Sequence, residues 1–171
     1  MRTVIEYIFL FLVSVLVQVL LFNNIDLSWW IYPVIFPLFV ILLPVEMSSM
    51  WVMFLAMLQG ITMDLLTATP GLNTATMLAV GVLRRPLLLL FVGRQAVQDG
   101  GVPMSNRIGT EHFVKYVTAL MLLFFGLYLG LEKLNLENYW VVLIQILAST
   151  LVSVPLIFVL HLLFSSRKTG F

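Results

Sequence analysis

Hydrophobic and polar positions alternate along this chain in long blocks rather than in short periods. Uninterrupted apolar runs are broken by brief polar punctuation, the pattern of helices that cross a membrane rather than of an amphipathic soluble fold. Six such stretches are expected. The first covers about 4–22 and ends at Asn23, Asn24 and Asp26. The second covers about 29–45, carries Pro33 and Pro37, and is therefore expected to be kinked or to begin irregularly. The third covers 50–66 and runs into a Thr-Ala-Thr-Pro-Gly turn, the fourth about 72–92, the fifth 113–131 and the sixth 139–164. A polar loop of about 94–112, with turn signals at Asp99–Gly100–Gly101 and Pro103, separates the fourth and fifth. The expected fold class is an all-α integral membrane protein, a six-transmembrane-helix bundle in one polytopic domain spanning 1–171.

Composition supports this solvent assignment. Only 10% of the 171 residues are charged and 61% are hydrophobic, whereas a soluble domain carries about 25% charged residues. Mean hydropathy is +1.09. The run from Val4 passes Ser14 to Phe22 without a small-x-small cleavage site, so it is expected to be retained as a span. No cysteine is present, which excludes disulfides and thiol chemistry, and a net charge of +1 argues against nucleic acid as a partner.

The basic residues set the orientation. With the N-terminus inside, Arg2, Arg84, Arg85, Arg94, Arg107, Lys115, Arg167 and Lys168 fall on the inner side and Lys133 alone on the outer. Cytoplasmic loops are enriched in Lys and Arg, so this bias selects six spans with both termini cytoplasmic. Trp29, Trp30, Tyr139 and Trp140 then fall at outer boundaries, as an aromatic belt would. Arg84 and Arg85 would each cost roughly 2.5–3.5 kcal/mol at mid-bilayer. They are therefore expected at the membrane surface, with Leu87–Val92 lying along the interface or prolonging the helix.

Candidate chemistry is sparse. Ala56, Gly60 and Asp64 are four residues apart and share a helix face on which a second helix could approach closely. Asp64 has two readings. A carboxylate inside a span marks a functional site by default, and Asp is also a favoured cap for backbone N–H groups of a turn or following helix. Glu6, Leu10, Ser14 and Gln18 form a slanted stripe on the first span, and Gln145, Ser149, Ser153, Ile157 and His161 another on the sixth. These suit hydrogen bonding between helices or, more sharply, the lining of a substrate cavity. Thr118, Leu122, Gly126 and Gly130 form a small-residue face on the fifth, for packing within the chain or between copies. No metalloprotease, phosphate-loop or nucleophile-elbow motif is present, so catalytic and metal residues are expected to be none.

The run Gln59-Gly60-Ile61-Thr62-Met63-Asp64-Leu65-Leu66-Thr67-Ala68-Thr69-Pro70-Gly71-Leu72-Asn73 resembles the signature of the rod shape-determining protein MreD family. Gln18 in the first span, Pro33 opening the second, and the Arg85–Pro86 step are also similar to that family. The resemblance covers essentially the whole chain. It implies a non-catalytic, cofactor-free protein of the bacterial inner membrane and the cell-elongation complex. The implied partners are the bitopic MreC, a glycosyltransferase and a transpeptidase of peptidoglycan synthesis, and actin-like MreB on the cytoplasmic side, indirectly or through the basic loop. The basic residues from Arg84 to Lys115 themselves either only set topology or meet membrane lipids with anionic headgroups or an acidic partner. The resemblance also implies a fold similar to the six-helix substrate-binding subunits of energy-coupling-factor transporters. The functional positions carried over are Gly60, Asp64, Gly71 and Asn73. With Pro70, Pro33 and Gln18 they are expected to shape an outer groove for a partner helix or an amphiphile. The alternative function is a vitamin-like small-molecule binding subunit of a membrane transporter.

Overall fold

The computed structural model describes residues 2–22, 32–98, 100–103, 105–133 and 139–166. Among them the chain is all-helical, with no strand. Helix α1 is Arg2–Val17, continued by a π-helical turn over Gln18–Phe22; α2 is Leu38–Ile41, α3 Ser49–Thr67 and α4 Leu72–Phe91. Two short helices follow, α5 (Arg94–Gln98) and α6 (Ser105–Ile108), then α7 (Thr110–Glu132) and α8 (Tyr139–Ser166). Trp29, Trp30, Arg167 and Lys168 lie outside the described residues.

Four helices are long and apolar enough to cross a bilayer: α3, α4, α7 and the Tyr139–Leu162 part of α8. Ile5–Leu20 is a shorter apolar helix. The chain is thus a multi-pass membrane protein. Its outer surface agrees, since Trp51, Leu65, Leu90, Trp140 and Leu151 are all exposed, as side chains facing lipid should be. Helices α3, α4, α7 and α8 pack in chain order, and α1 touches both α2 and α3.

The second expected stretch, 29–45, is not a regular span where it is described. Over residues 32–45 the only helix is the four-residue α2. Pro33, Pro37 and Pro44 each remove a backbone donor, and together they prevent an unbroken hydrogen-bond ladder. Yet this irregular segment is the heart of the molecule. Ile35, Phe36 and every residue from Leu38 to Leu43 are buried. Phe36 meets the α7 ring of Phe124 edge-on at 5.5 Å, and Phe39 meets the α1 ring of Phe11 at 5.2 Å. Irregular backbone at membrane depth is tolerated only inside protein, and here helices surround it.

The fourth stretch also differs from expectation at one residue. Helix α4 runs through Pro86 to Phe91 without a break, so the segment after the arginines prolongs the helix. Arg85 is exposed, but Arg84 is only 2% exposed. Its Nη2 donates to the Leu43 carbonyl oxygen, which is left without a helical partner where the irregular segment ends. A guanidinium reaching a backbone carbonyl replaces the water that the expected surface position would have supplied.

Candidate functional site

Helix α3 ends in a turn built around Asp64. The Asp64 carbonyl accepts N–H bonds from Ala68 and, at 3.2 Å, from Thr69. Ala68 takes the left-handed conformation that closes a helix, with φ +53°. Gly71, at φ +80°, then starts α4. The Asp64 side chain spans both sides of this turn. Its Oδ1 accepts from Thr69 Oγ1 at 2.6 Å and from the Asn73 N–H at 2.9 Å. Its Oδ2 accepts from the Thr74 N–H at 2.9 Å and from Thr74 Oγ1 at 2.5 Å. The carboxylate therefore caps the second and third residues of α4 from the neighbouring helix. Asn73 Nδ2 donates to Thr69 Oγ1 at 2.9 Å and ties the turn further. Two ionised-acceptor bonds to backbone N–H groups at a helix start also place negative charge at the positive end of its dipole.

Gly60 is what allows this geometry. A Cβ there would lie 2.5 Å from Thr74 Cα and 2.8 Å from the Asn73 carbonyl oxygen. One turn on, Asp64 reaches the same two residues. Lower in the pair, a Cβ on Gly81 would lie 3.1 Å from Ala56 Cβ. The small face of α3 thus receives α4 of the same chain.

Gln18 and Pro33 form a second set. Gln18 Nε2 donates to the Pro33 carbonyl at 3.0 Å, and its Oε1 accepts from the Ile35 N–H at 2.8 Å. The amide copies the donor and acceptor of a missing helical neighbour. From α8, Ser149 Oγ accepts the Tyr32 N–H at 3.1 Å and Ser153 Oγ the Val34 N–H at 3.0 Å. From α3, Gln59 Nε2 donates to the Phe36 carbonyl at 2.7 Å and to Ser14 Oγ at 3.2 Å. Gln18 of the α1 stripe and Ser149 and Ser153 of the α8 stripe are therefore hydrogen-bonded to a backbone segment that lies between the two helices, a target the pattern of either helix alone does not reveal.

The seven expected positions fall into these two sets. Gly60, Asp64 and Asn73 meet directly, Pro70 and Gly71 sit exposed in the turn between them, and Gln18 holds Pro33. Two residues outside the expected set are as consequential. Gln59 was visible as the one amide on α3. Arg84 gave no signal of burial, because its partner is a backbone carbonyl. On α7, a Cβ at Gly126 or Gly130 would meet nothing within 4 Å, so that small-residue face makes no close helix contact among the described residues.

His161 is fully buried, its Nε2 accepting the Ser105 N–H at 3.4 Å and its ring 4.4 Å from that of Phe113. His112 Nδ1 bonds the Phe91 carbonyl at 2.8 Å. Among the described residues no three His, Asp or Glu side chains converge as metal ligands. In comparisons with known proteins, no family model, no curated protein and no solved structure matches this chain.

Proposed function

We propose that this chain is a non-catalytic membrane scaffold of the MreD type, acting in bacterial cell elongation by binding a bitopic MreC-like partner. The observation that carries the reading is the filled interior among the described residues. A small-molecule subunit needs an enclosed, partly polar pocket. Here the space between the helices holds residues 35–43, and Gln18, Ser149 and Ser153 point their polar atoms at the backbone of residues 32–35 that leads into it. The resemblance over 59–73 adds support, because Gly60, Asp64, Thr69 and Asn73 of that run meet in one hydrogen-bonded turn.

In this reading the irregular segment is a sixth crossing, giving six passes with both termini cytoplasmic. The 68–71 turn then faces outward, where a bitopic partner's outer domain and the wall-synthesis enzymes work. The Arg84–Lys115 side faces the cytoplasm and an actin-like filament. The similarity to energy-coupling-factor subunits would lie in the helical plan, with the pocket replaced by chain.

The test is depletion of the protein in a rod-shaped host. Loss of rod shape, rescued by the full chain, is expected. Cells that stay rod-shaped while losing uptake of a small nutrient would overturn the proposal in favour of a transporter subunit.

A further inference from the structure

We propose that the cleft between the start of α3 and the second half of α4 binds the phosphate of an anionic phospholipid. Val45, Val52 and Leu88 form its apolar walls, and Ser49, Arg84 and Arg85 supply its polar lining. Arg84 is the anchor. Its side chain is buried beside the equally buried Tyr116 hydroxyl, Nη2 is committed to the Leu43 carbonyl, and Nε, like that hydroxyl, meets no partner at full hydrogen-bond geometry among the described residues. A buried cation with a spare N–H is costly until an acceptor arrives, and an anion supplies both the charge and the lone pairs. The guanidinium presents its donors as a planar fork suited to phosphate oxygens.

A second donor set lies across the cleft. Helix α3 begins at Ser49, and Ser48 at its N-cap makes no side-chain cap bond. The first N–H groups of a helix have no internal partner, and the dipole there is positive. The nearby carboxylate is already engaged, since Glu46 Oε1 accepts the Gly101 N–H at 2.9 Å. Arg85, exposed beside Arg84, adds a second positive charge at the mouth.

The surroundings select a lipid as the source of the phosphate. Met50 and Trp51 on α3 are 79% and 62% exposed, and Leu89 and Leu90 follow on α4. A headgroup in the cleft would leave its acyl chains against this apolar surface. Basic side chains beside such a surface attract anionic lipids by about 1 kcal/mol each, or about fivefold in binding.

The experiment uses the full chain in mild detergent, exposed to equal amounts of phosphatidylglycerol and phosphatidylcholine and read by native mass spectrometry. Preferential retention of phosphatidylglycerol is expected. Arg85→Gln, a change at an exposed side chain, should lower that retention about fivefold. Arg84→Lys should lower it as well, since the charge stays but the fork is lost. Arg94→Gln, exposed and outside the cleft, should leave it unchanged. Equal retention of the two lipids, or undiminished retention in Arg85→Gln, would overturn the proposal. Displacement of the lipid by millimolar inorganic phosphate alone would overturn the lipid as the source.

Discussion

Asp64 and Arg84 are opposite charges on the two helices of one hairpin, and they are treated in opposite ways. Both oxygens of Asp64 are occupied, by four donors that lie within ten residues of it. Among the described residues Arg84 donates to a carbonyl 41 residues away, lies beside the Tyr116 hydroxyl, and keeps a buried Nε–H with no acceptor at full hydrogen-bond geometry. A carboxylate whose acceptors are all filled by its own turn is committed to architecture. A guanidinium with a donor to spare is still able to take a ligand. An ionisable residue inside a span is therefore only a starting point for a functional assignment; the state of its hydrogen bonds decides between the two roles.

Substitutions can break this comparison, beginning with the largest expected effect. Gly60→Leu should abolish the folded hairpin, because even its Cβ would sit 2.5 Å from backbone of α4. Overpacking of this kind costs about 3 kcal/mol or more, and thermal unfolding in detergent should find no cooperative transition. Asp64→Ala removes the acceptor of two backbone N–H groups and of the Thr74 hydroxyl, while the Thr69 hydroxyl keeps Thr67 beside it. The substitution should cost about 3 kcal/mol, seen as a lower unfolding temperature and faster amide exchange at Asn73 and Thr74. Gln18→Leu leaves the Pro33 carbonyl and the Ile35 N–H unpaired, for a loss of about 2 kcal/mol. Exchange at Ile35 should rise with it, while Asn73 and Thr74 stay protected. Arg84→Met should have the smallest effect, within about 1 kcal/mol, because an apolar side chain removes a buried charge at the expense of one carbonyl partner. A loss for Arg84→Met as large as that for Asp64→Ala would erase the distinction between the two sites.

The regular helices were legible because apolar length alone specifies them. The expected stretches 50–66 and 113–131 lie within Ser49–Thr67 and Thr110–Glu132. The Asp64 turn was legible as one of two readings, since Asp followed by Thr-Pro-Gly is local chemistry. The irregular course of residues 32–45 was signalled by its prolines, but its place at the centre of the molecule was not. Its side-chain partners include Gln18, Gln59, Arg84, Ser149 and Ser153, the two serines more than a hundred residues away. The burial of Arg84 was illegible for the same reason. A side chain that pairs with a distant backbone carbonyl leaves no pattern in its own neighbourhood.

The proposed scaffold role, with an interior filled by the described residues, would be carried out through the surface of the molecule. Affinity purification of the full chain from host membranes in mild detergent, with protein and small-molecule mass spectrometry on the same sample, tests that directly. The account predicts an MreC-like bitopic protein in the eluate, with no vitamin-like small molecule retained. Recovery of an energising ATPase pair together with a tightly held small molecule would contradict it.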